Sequence, residues 1–419
     1  MAKTKENSYK NPLLDALRLN DAAKGKKAKG YYEDDTNIIS YKTGFPTLDY
    51  RLGHRVYVKG KDNEIESTYL NLGITSGSYV CLVGKPGGAK TSMAIQIAGN
   101  IVRPFEAGTV IHIDCEGATD YSRVQSLTKY PLDMLQEKYL LRQTKISLND
   151  LKAMIVDTYN EKVNNKDKYL YDTGKKNVFG KEIIMLQPTV YLLDSFATLS
   201  SGLGDKTIEE ASEIMSQTEK MRLTGEIGRL LNELLPILKE ANIILIAVNQ
   251  IKTNPGMGII KAPGMVLGLR PDEAPAAGWA PLFNAQILIR CTGMSSDKYT
   301  IEDDGFTGFG VKLDIIKSRV SAAGESCVLV FNRNTGIDPI RSSVYLAKSI
   351  DKLEGNRAHY HFKGFTTTFS QKNMLEDFKE KPELIKEMKA TIDDTLKSYI
   401  GNVYQEEINN DLIYDLYDD

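Results

Sequence analysis

Short apolar runs rich in β-branched residues alternate with longer stretches of helical periodicity through the middle of the chain, the pattern of an α/β domain on a largely parallel sheet. Six runs are strand candidates: Tyr79–Val83, Val110–Asp114, Val190–Asp194, Ile243–Val248, Ala285–Arg290 and Val311–Ile316. They are strongly apolar along their length, as strands covered on both faces are. Helices are expected over Lys90–Val102, Glu209–Lys220 and Gly225–Leu238. Leu148, Leu151, Met154 and Ile155 fall at helical spacing within the Asn/Lys/Tyr-rich stretch Lys145–Lys181, which predicts one helix and then a mobile insertion.

The pattern changes near Ser342. A β-like run at His359–Phe369 and a Lys/Glu-rich helical stretch at Glu383–Tyr399 indicate a small α/β C-terminal domain over 342–400. Pro382 suits the start of that helix, where its missing N–H costs nothing. Residues 1–40 read as a basic arm and linker, residues 41–341 as the core and residues 401–419 as an acidic tail. Leu13, Leu14 and Leu17 share one helical face of the arm, and packing on a neighbouring subunit would cover them.

Composition narrows the classes. A chain of 419 residues with 42% hydrophobic content can bury a sizeable core and is no small disulfide scaffold. Cys81, Cys115, Cys291 and Cys327 are widely separated, with neither zinc-ribbon nor redox spacing, and read as buried, reduced thiols. No apolar run nears the roughly 20 residues of a membrane span, and Met1–Lys10 is polar, so a soluble cytoplasmic chain with no membrane partner is expected. The net charge of −2 excludes a globally basic nucleic-acid binder. Charge is nevertheless uneven: residues 1–29 carry eight basic against three acidic side chains, while 401–419 hold Glu406, Glu407, Asp411, Asp415, Asp418 and Asp419 with no Lys or Arg.

The strand Tyr79–Val83 runs into Gly84-Lys85-Pro86-Gly87-Gly88-Ala89-Lys90-Thr91, followed by Ser92 and a helix. That context is the one a phosphate-binding loop demands. Backbone N–H groups can cradle a polyphosphate, Lys90 can reach its outer oxygens, and the Thr91 hydroxyl can ligate Mg²⁺. Ala89 departs from the general pattern, which has glycine, and its methyl is tolerable there with φ below zero. Three further strand ends carry polar chemistry. Asp194-Ser195 supplies a carboxylate for Mg²⁺, Asp114-Cys115-Glu116 places Glu116 to deprotonate an attacking water, and Asn249-Gln250 offers a neutral amide to sense the terminal phosphate. Ligands of open α/β sheets bind beyond these carboxyl ends.

Thr43-Gly44 with Leu48-Asp49, the phosphate loop, Ile113-Asp114-Cys115-Glu116, Leu193-Asp194-Ser195, Val248-Asn249-Gln250-Ile251, Lys317-Ser318-Arg319-Val320 and Gly336-Ile337-Asp338-Pro339 together resemble the RecA family, most closely its T4-type phage recombinases. The resemblance runs from about Tyr41 to Tyr399, with no counterpart for Lys145–Lys181. It implies a RecA-like P-loop NTPase core, a twisted and mostly parallel sheet, with a short N-terminal oligomerisation arm. It implies ATP and Mg²⁺ as cofactors, Lys90 and Thr91 on phosphate and metal, Glu116 as general base, Asp194 in the Mg²⁺ shell and Gln250 as γ-phosphate reporter. Asp120 matches the family's adenine-contacting acid; Arg123 stands at its aromatic position, leaving Tyr121 as the substitute. Lys317 and Arg319 match a cationic pair that reaches into the neighbouring subunit's nucleotide.

In that family two loops line the filament axis. Here they would be 200–224, with Lys206 and Arg222, and 252–278, with Lys252, Lys261 and Arg270 among glycines and flexible apolar residues. Such a mixture suits sequence-tolerant binding of single strands. The implied activity is DNA-dependent ATP hydrolysis to ADP and phosphate by a helical homo-oligomeric filament on single-stranded DNA, with pairing to a homologous duplex and strand exchange. The implied setting is the cytoplasm of a phage-infected bacterium, with a single-strand-binding protein or mediator as further partner. Two other readings stay open: a RecA-core hexameric helicase or DNA motor, and a catalytically weak ATP-binding filament or mediator protein.

Overall fold

The computed structural model describes residues 37–60, 65–199, 217–253, 267–294, 300–303, 306–321 and 323–400. The basic arm up to residue 36 and the acidic tail lie outside this set. A large sheet contains β1 Tyr79–Gly84, β2 Thr109–Asp114, β3 Tyr139–Arg142, β4 Thr189–Asp194, β5 Ile243–Thr253, β6 Ile287–Met294, β7 Phe306–Ser318, β8 Ser326–Asn332 and β9 Gly336–Asp338. Their spatial order is β9-β8-β7-β6-β1-β5-β4-β2-β3. The six strands from β6 to β3 are mutually parallel, and β7, β8 and β9 extend the sheet antiparallel. All six expected strands are present, within a mixed α/β architecture of Rossmann-like type.

The near-continuous apolar runs follow from two covered faces. Val80 and Leu82, Val190 and Leu192, and Ile244, Ile246 and Val248 enter one core with Met93, Ala94 and Ile97 of helix α1, Lys90–Val102. The intervening Tyr79, Cys81 and Val83, Tyr191 and Leu193, and Ile243, Leu245 and Ala247 enter the opposite core. That second core is closed by α3, Leu148–Asn164, and α4, Gln217–Glu240. Between α1 and α3 in sequence, the short helix α2 spans Tyr121–Thr128. The period of two along each strand thus divides its side chains between layers. All four cysteines are buried and free.

Two expectations change. Gln217–Lys220, the end of the expected Glu209–Lys220 helix, belongs to the same continuous helix as Gly225–Leu238, while residues 209–216 lie outside the described set. The insertion after α3 is a docked β-hairpin rather than a mobile segment, pairing Leu170–Lys176 with Glu182–Leu186. Ile183 and Leu186 are buried, the Tyr171 and Tyr41 hydroxyls meet at 2.9 Å, and the Lys59 amide donates to the Val178 carbonyl at 3.0 Å, joining the insertion to a second hairpin, His54–Lys59 with Ile65–Asn71. Helix α5, Pro339–Ser349, spans the change of pattern near Ser342. Val344, Leu346 and Ala347 share a core with Phe362, Phe369, Phe378 and the buried face of α7, Glu383–Ser398, which follows α6, Met374–Glu380.

Candidate phosphate-binding site

Register fixes where the strand-end chemistry meets. Gln250 lies beside Gly84, and Asp194 lies beside both Val248 and Asp114. Residues scattered between Gly84 and Gln250 therefore share one edge of the parallel sheet. The phosphate loop turns at this edge, with Gly84 packed so closely that a Cβ would collide with the Cys291 carbonyl oxygen.

Ala89 does not meet the condition of φ below zero under which its methyl is readily tolerated. Its φ is 57°, in the left-handed region, where an L-residue costs roughly 1–2 kcal/mol. Its methyl packs against the α1-side core. The next residue, Lys90, is 7% exposed and its ammonium donates to the Lys85 carbonyl at 2.8 Å. Burial lowers its pKa against the opposing pull of Cys291, Asp194 and Glu116.

The Thr91 hydroxyl donates to the Asp194 carboxylate at 2.5 Å. Burial pushes the Asp194 pKa up to about 6, helped by Glu116 and Asp114 and resisted by the Thr91 hydrogen bond and Lys90. Glu116 is exposed, and one of its oxygens accepts from Ser195 Oγ and from Gln250 Nε2, each at 3.1 Å. Asp114 has a different task. Its carboxylate takes the amides of Glu116, Gly117 and Thr119 at 3.1, 2.9 and 2.8 Å, so it shapes the turn that presents Glu116. The Asp194–Ser195 peptide is cis.

Asp120 caps α2, accepting from the Arg123 amide and the Ser122 hydroxyl, both at 2.7 Å. The Tyr121 hydroxyl accepts from the Leu141 amide at 3.2 Å, with the residue 47% exposed. Arg123 spans to the carbonyls of Arg333 and Asn334 at 3.0 and 2.8 Å and to Ser92 Oγ at 3.0 Å.

Lys317 and Arg319 do not join this edge. Ser318 pairs with Ile287, which pairs with Val80, so both cations lie at the amino ends of the parallel strands. At about 3.3 Å per residue the intervening strand puts them on the order of 15 Å from the phosphate loop. Lys317 Nζ donates to the Phe283 carbonyl at 2.7 Å, and burial with the nearby Arg319 lowers its pKa. Among the DNA candidates, Lys252 is exposed on β5, Arg270 lines a cleft beside the phosphate loop, and Arg222 pairs with Glu226 at 3.2 Å on α4. Lys206 and Lys261 lie outside the described residues.

One cluster carried no sequence signal. Pro86, Gly87, Arg270, Arg290, Phe309 and Arg333 help line a cleft of about 560 Å³ beside the phosphate loop. Glu273, 4% exposed, sits in its wall with Arg290 nitrogens at 2.9 and 3.0 Å, the Arg270 amide at 3.0 Å and the Lys85 ammonium at 3.6 Å. Burial raises the Glu273 pKa, but the Arg270 amide, Arg290 and Lys85 more than offset it, leaving the carboxyl below its usual range. Glu273 and Arg290 are 17 residues apart, and nothing in their spacing links them to Lys85. The chain matches no protein-family model and no curated protein.

Proposed function

We propose that the chain is an ATP-dependent DNA recombinase of RecA type, assembling on single-stranded DNA and exchanging strands with a homologous duplex. The observation that carries this reading is the meeting of Lys90, the Thr91–Asp194 pair and the Glu116–Gln250 pair at one sheet edge. Two hard oxygen donors 2.5 Å apart fit a Mg²⁺ shell completed by phosphate and water. The buried Lys90 ammonium, bonded to a neutral carbonyl, fits a site that expects an anion. The bound ion would neutralise phosphate charge as it develops.

The protein's own contributions follow from the geometry. The loop amides and Lys90 orient the phosphates. Glu116, held by Ser195 and Gln250, accepts a proton from an attacking water at its carboxylate oxygen. Gln250 loses its bond to Glu116 if it turns to a terminal phosphate, and Lys252 and Thr253 continue the same strand toward the candidate DNA loop. Lys317 and Arg319 are too far from their own subunit's loop to act there. As trans-acting cations they would make turnover depend on assembly.

ATP hydrolysis with and without single-stranded DNA, joined to negative-stain imaging and strand exchange with a Lys90→Ala control, tests the proposal. DNA-stimulated turnover, filaments and exchange lost in the control are expected. Rings with ATP-driven unwinding of a forked duplex would favour the helicase or motor. Nucleotide binding without stimulated turnover would favour the weak filament or mediator protein, which the strained Ala89 makes the stronger rival.

A further inference from the structure

We propose that Glu273 is a positioning residue that holds the Lys85 ammonium while the phosphate loop is empty and yields it to a bound polyphosphate, so that the strand carrying Glu273 registers phosphate occupancy. This rests on the phosphate-site reading above and adds a coupling route to it.

Lys85 is tied twice. Its carbonyl accepts from the Lys90 ammonium at 2.8 Å, and its own ammonium leans on Glu273 at 3.6 Å with a side chain 52% exposed. A polyphosphate on the loop competes for both lysines at once. Transfer of Lys85 leaves no buried charge stranded, because Arg290 still grips both Glu273 oxygens and the Arg270 amide still donates to one. Arg290 also donates to the Gly268 carbonyl, so that the same cluster fixes the chain on both sides of Arg270.

The far side of Glu273 makes the exchange consequential. Residues Glu273–Pro275 form a short strand antiparallel to the end of β5, with Glu273 opposite Thr253 and Pro275 opposite Ile251. The Ala276 amide donates to the Gln250 carbonyl at 2.8 Å. Phosphate occupancy can therefore reach the β5 extension by two routes, the Gln250 amide and the Lys85–Glu273 pair. A pair of this length, with the lysine half-exposed and the carboxylate buried, is worth up to about 1 kcal/mol, or about fivefold in affinity.

The test is a double-mutant cycle on ATP·Mg²⁺ affinity in the full chain, with hydrogen exchange at Thr253, Glu273 and Ala276. Glu273→Gln should tighten ATP·Mg²⁺ about two- to fivefold by freeing Lys85, and should have no effect in a Lys85→Gln background. ATP·Mg²⁺ should change exchange at the three amides severalfold in the wild type and distinctly less in Lys85→Gln, which still binds through Lys90 and keeps only the Gln250 route. Should Glu273→Gln fail to fold with Arg290 unpaired, Lys85→Gln alone decides by its exchange response. Additive effects in the cycle, or a wild-type exchange response in Lys85→Gln, would overturn the inference with the phosphate site intact. A wild-type chain that binds no ATP·Mg²⁺ would instead overturn the phosphate-site reading itself.

Discussion

Asp194→Asn should stabilise the ligand-free protein at neutral pH while weakening its response to ATP·Mg²⁺. The carboxyl is 5% exposed, and its pKa rises from 3.8 to about 6, first through burial and then through Glu116 and Asp114. A carboxyl whose folded pKa is raised binds its proton more tightly when folded, so its favourable contribution is complete below pH 3.8 and is lost as pH climbs through about 6. Two units at 1.36 kcal/mol each amount to about 3 kcal/mol above pH 7. Asparagine keeps an acceptor for the Thr91 hydroxyl without the charge. The difference between variant and wild type should thus grow from a small value at pH 4 to about 3 kcal/mol at pH 7.5, raising the melting midpoint by about 3 °C for a chain of this size. Asp49, buried with a pKa raised to about 7, titrates in both proteins and cancels. Thermal melts across pH without nucleotide or metal provide the measurement, repeated with ATP·Mg²⁺, which should raise the wild-type midpoint more than the variant's. A variant no more stable than wild type at pH 7.5 would refute the assignment of Asp194 as a strained, metal-awaiting carboxylate.

Glu116→Gln should retain ATP binding and lower turnover by about 10²–10⁴-fold; steady-state hydrolysis at the wild-type rate would remove Glu116 as the base. Replacing Lys317 and Arg319 together by alanine should lower DNA-stimulated turnover by about 10³-fold or more while leaving nucleotide affinity unchanged. Mixing that variant with Glu116→Gln subunits should restore part of the activity, and no recovery at any ratio would count against action in trans. Ala89→Gly should raise stability by up to about 1 kcal/mol, the left-handed strain relieved being larger than the added glycine entropy and lost methyl contacts. Denaturant titration checks this last change, and a destabilised variant would show that the methyl's packing outweighs its strain.

The sheet was legible because β1, β4 and β5 are covered on both faces, which leaves an apolar run that needs no partner to be recognised. The candidate site was legible for a related reason: its polar residues stand directly after those runs, and parallel strands deliver their carboxyl ends to one edge. The hairpins were harder. Leu170–Lys176 alternates exposed and half-buried positions and depends on the Tyr171–Tyr41 contact and on Ile183 across the pair, all distant in sequence. Asp120 shows a different ambiguity, since an acid before a helix serves equally as a ligand and as a cap; here it takes the amide three residues on. The φ of Ala89 was open because its composition alone does not fix the turn, and Glu273 because its partners come from the phosphate loop and β6.

The two ends of the parallel sheet constrain any mechanism that uses all the polar residues found. The residues proposed for phosphate chemistry, Lys90, Thr91, Asp194 and Glu116, stand at the carboxyl end, while Lys317 and Arg319 sit at the amino end. At a separation on the order of 15 Å, beyond the Debye length of about 8 Å at physiological salt, an exposed cation contributes little to charge developing on its own subunit's phosphate. Nor can a modest rotamer change close that distance. A catalytic part for these cations thus requires another copy's phosphate edge to be brought against this subunit's amino-end face. Specific activity should then rise with protein concentration until assembly is complete, and at low occupancy the dependence should steepen as subunits must meet before turning over. A rate strictly proportional to protein concentration across the assembly range, with the Lys317 and Arg319 variant still impaired, would place the defect in folding or DNA contact instead of in a shared active site.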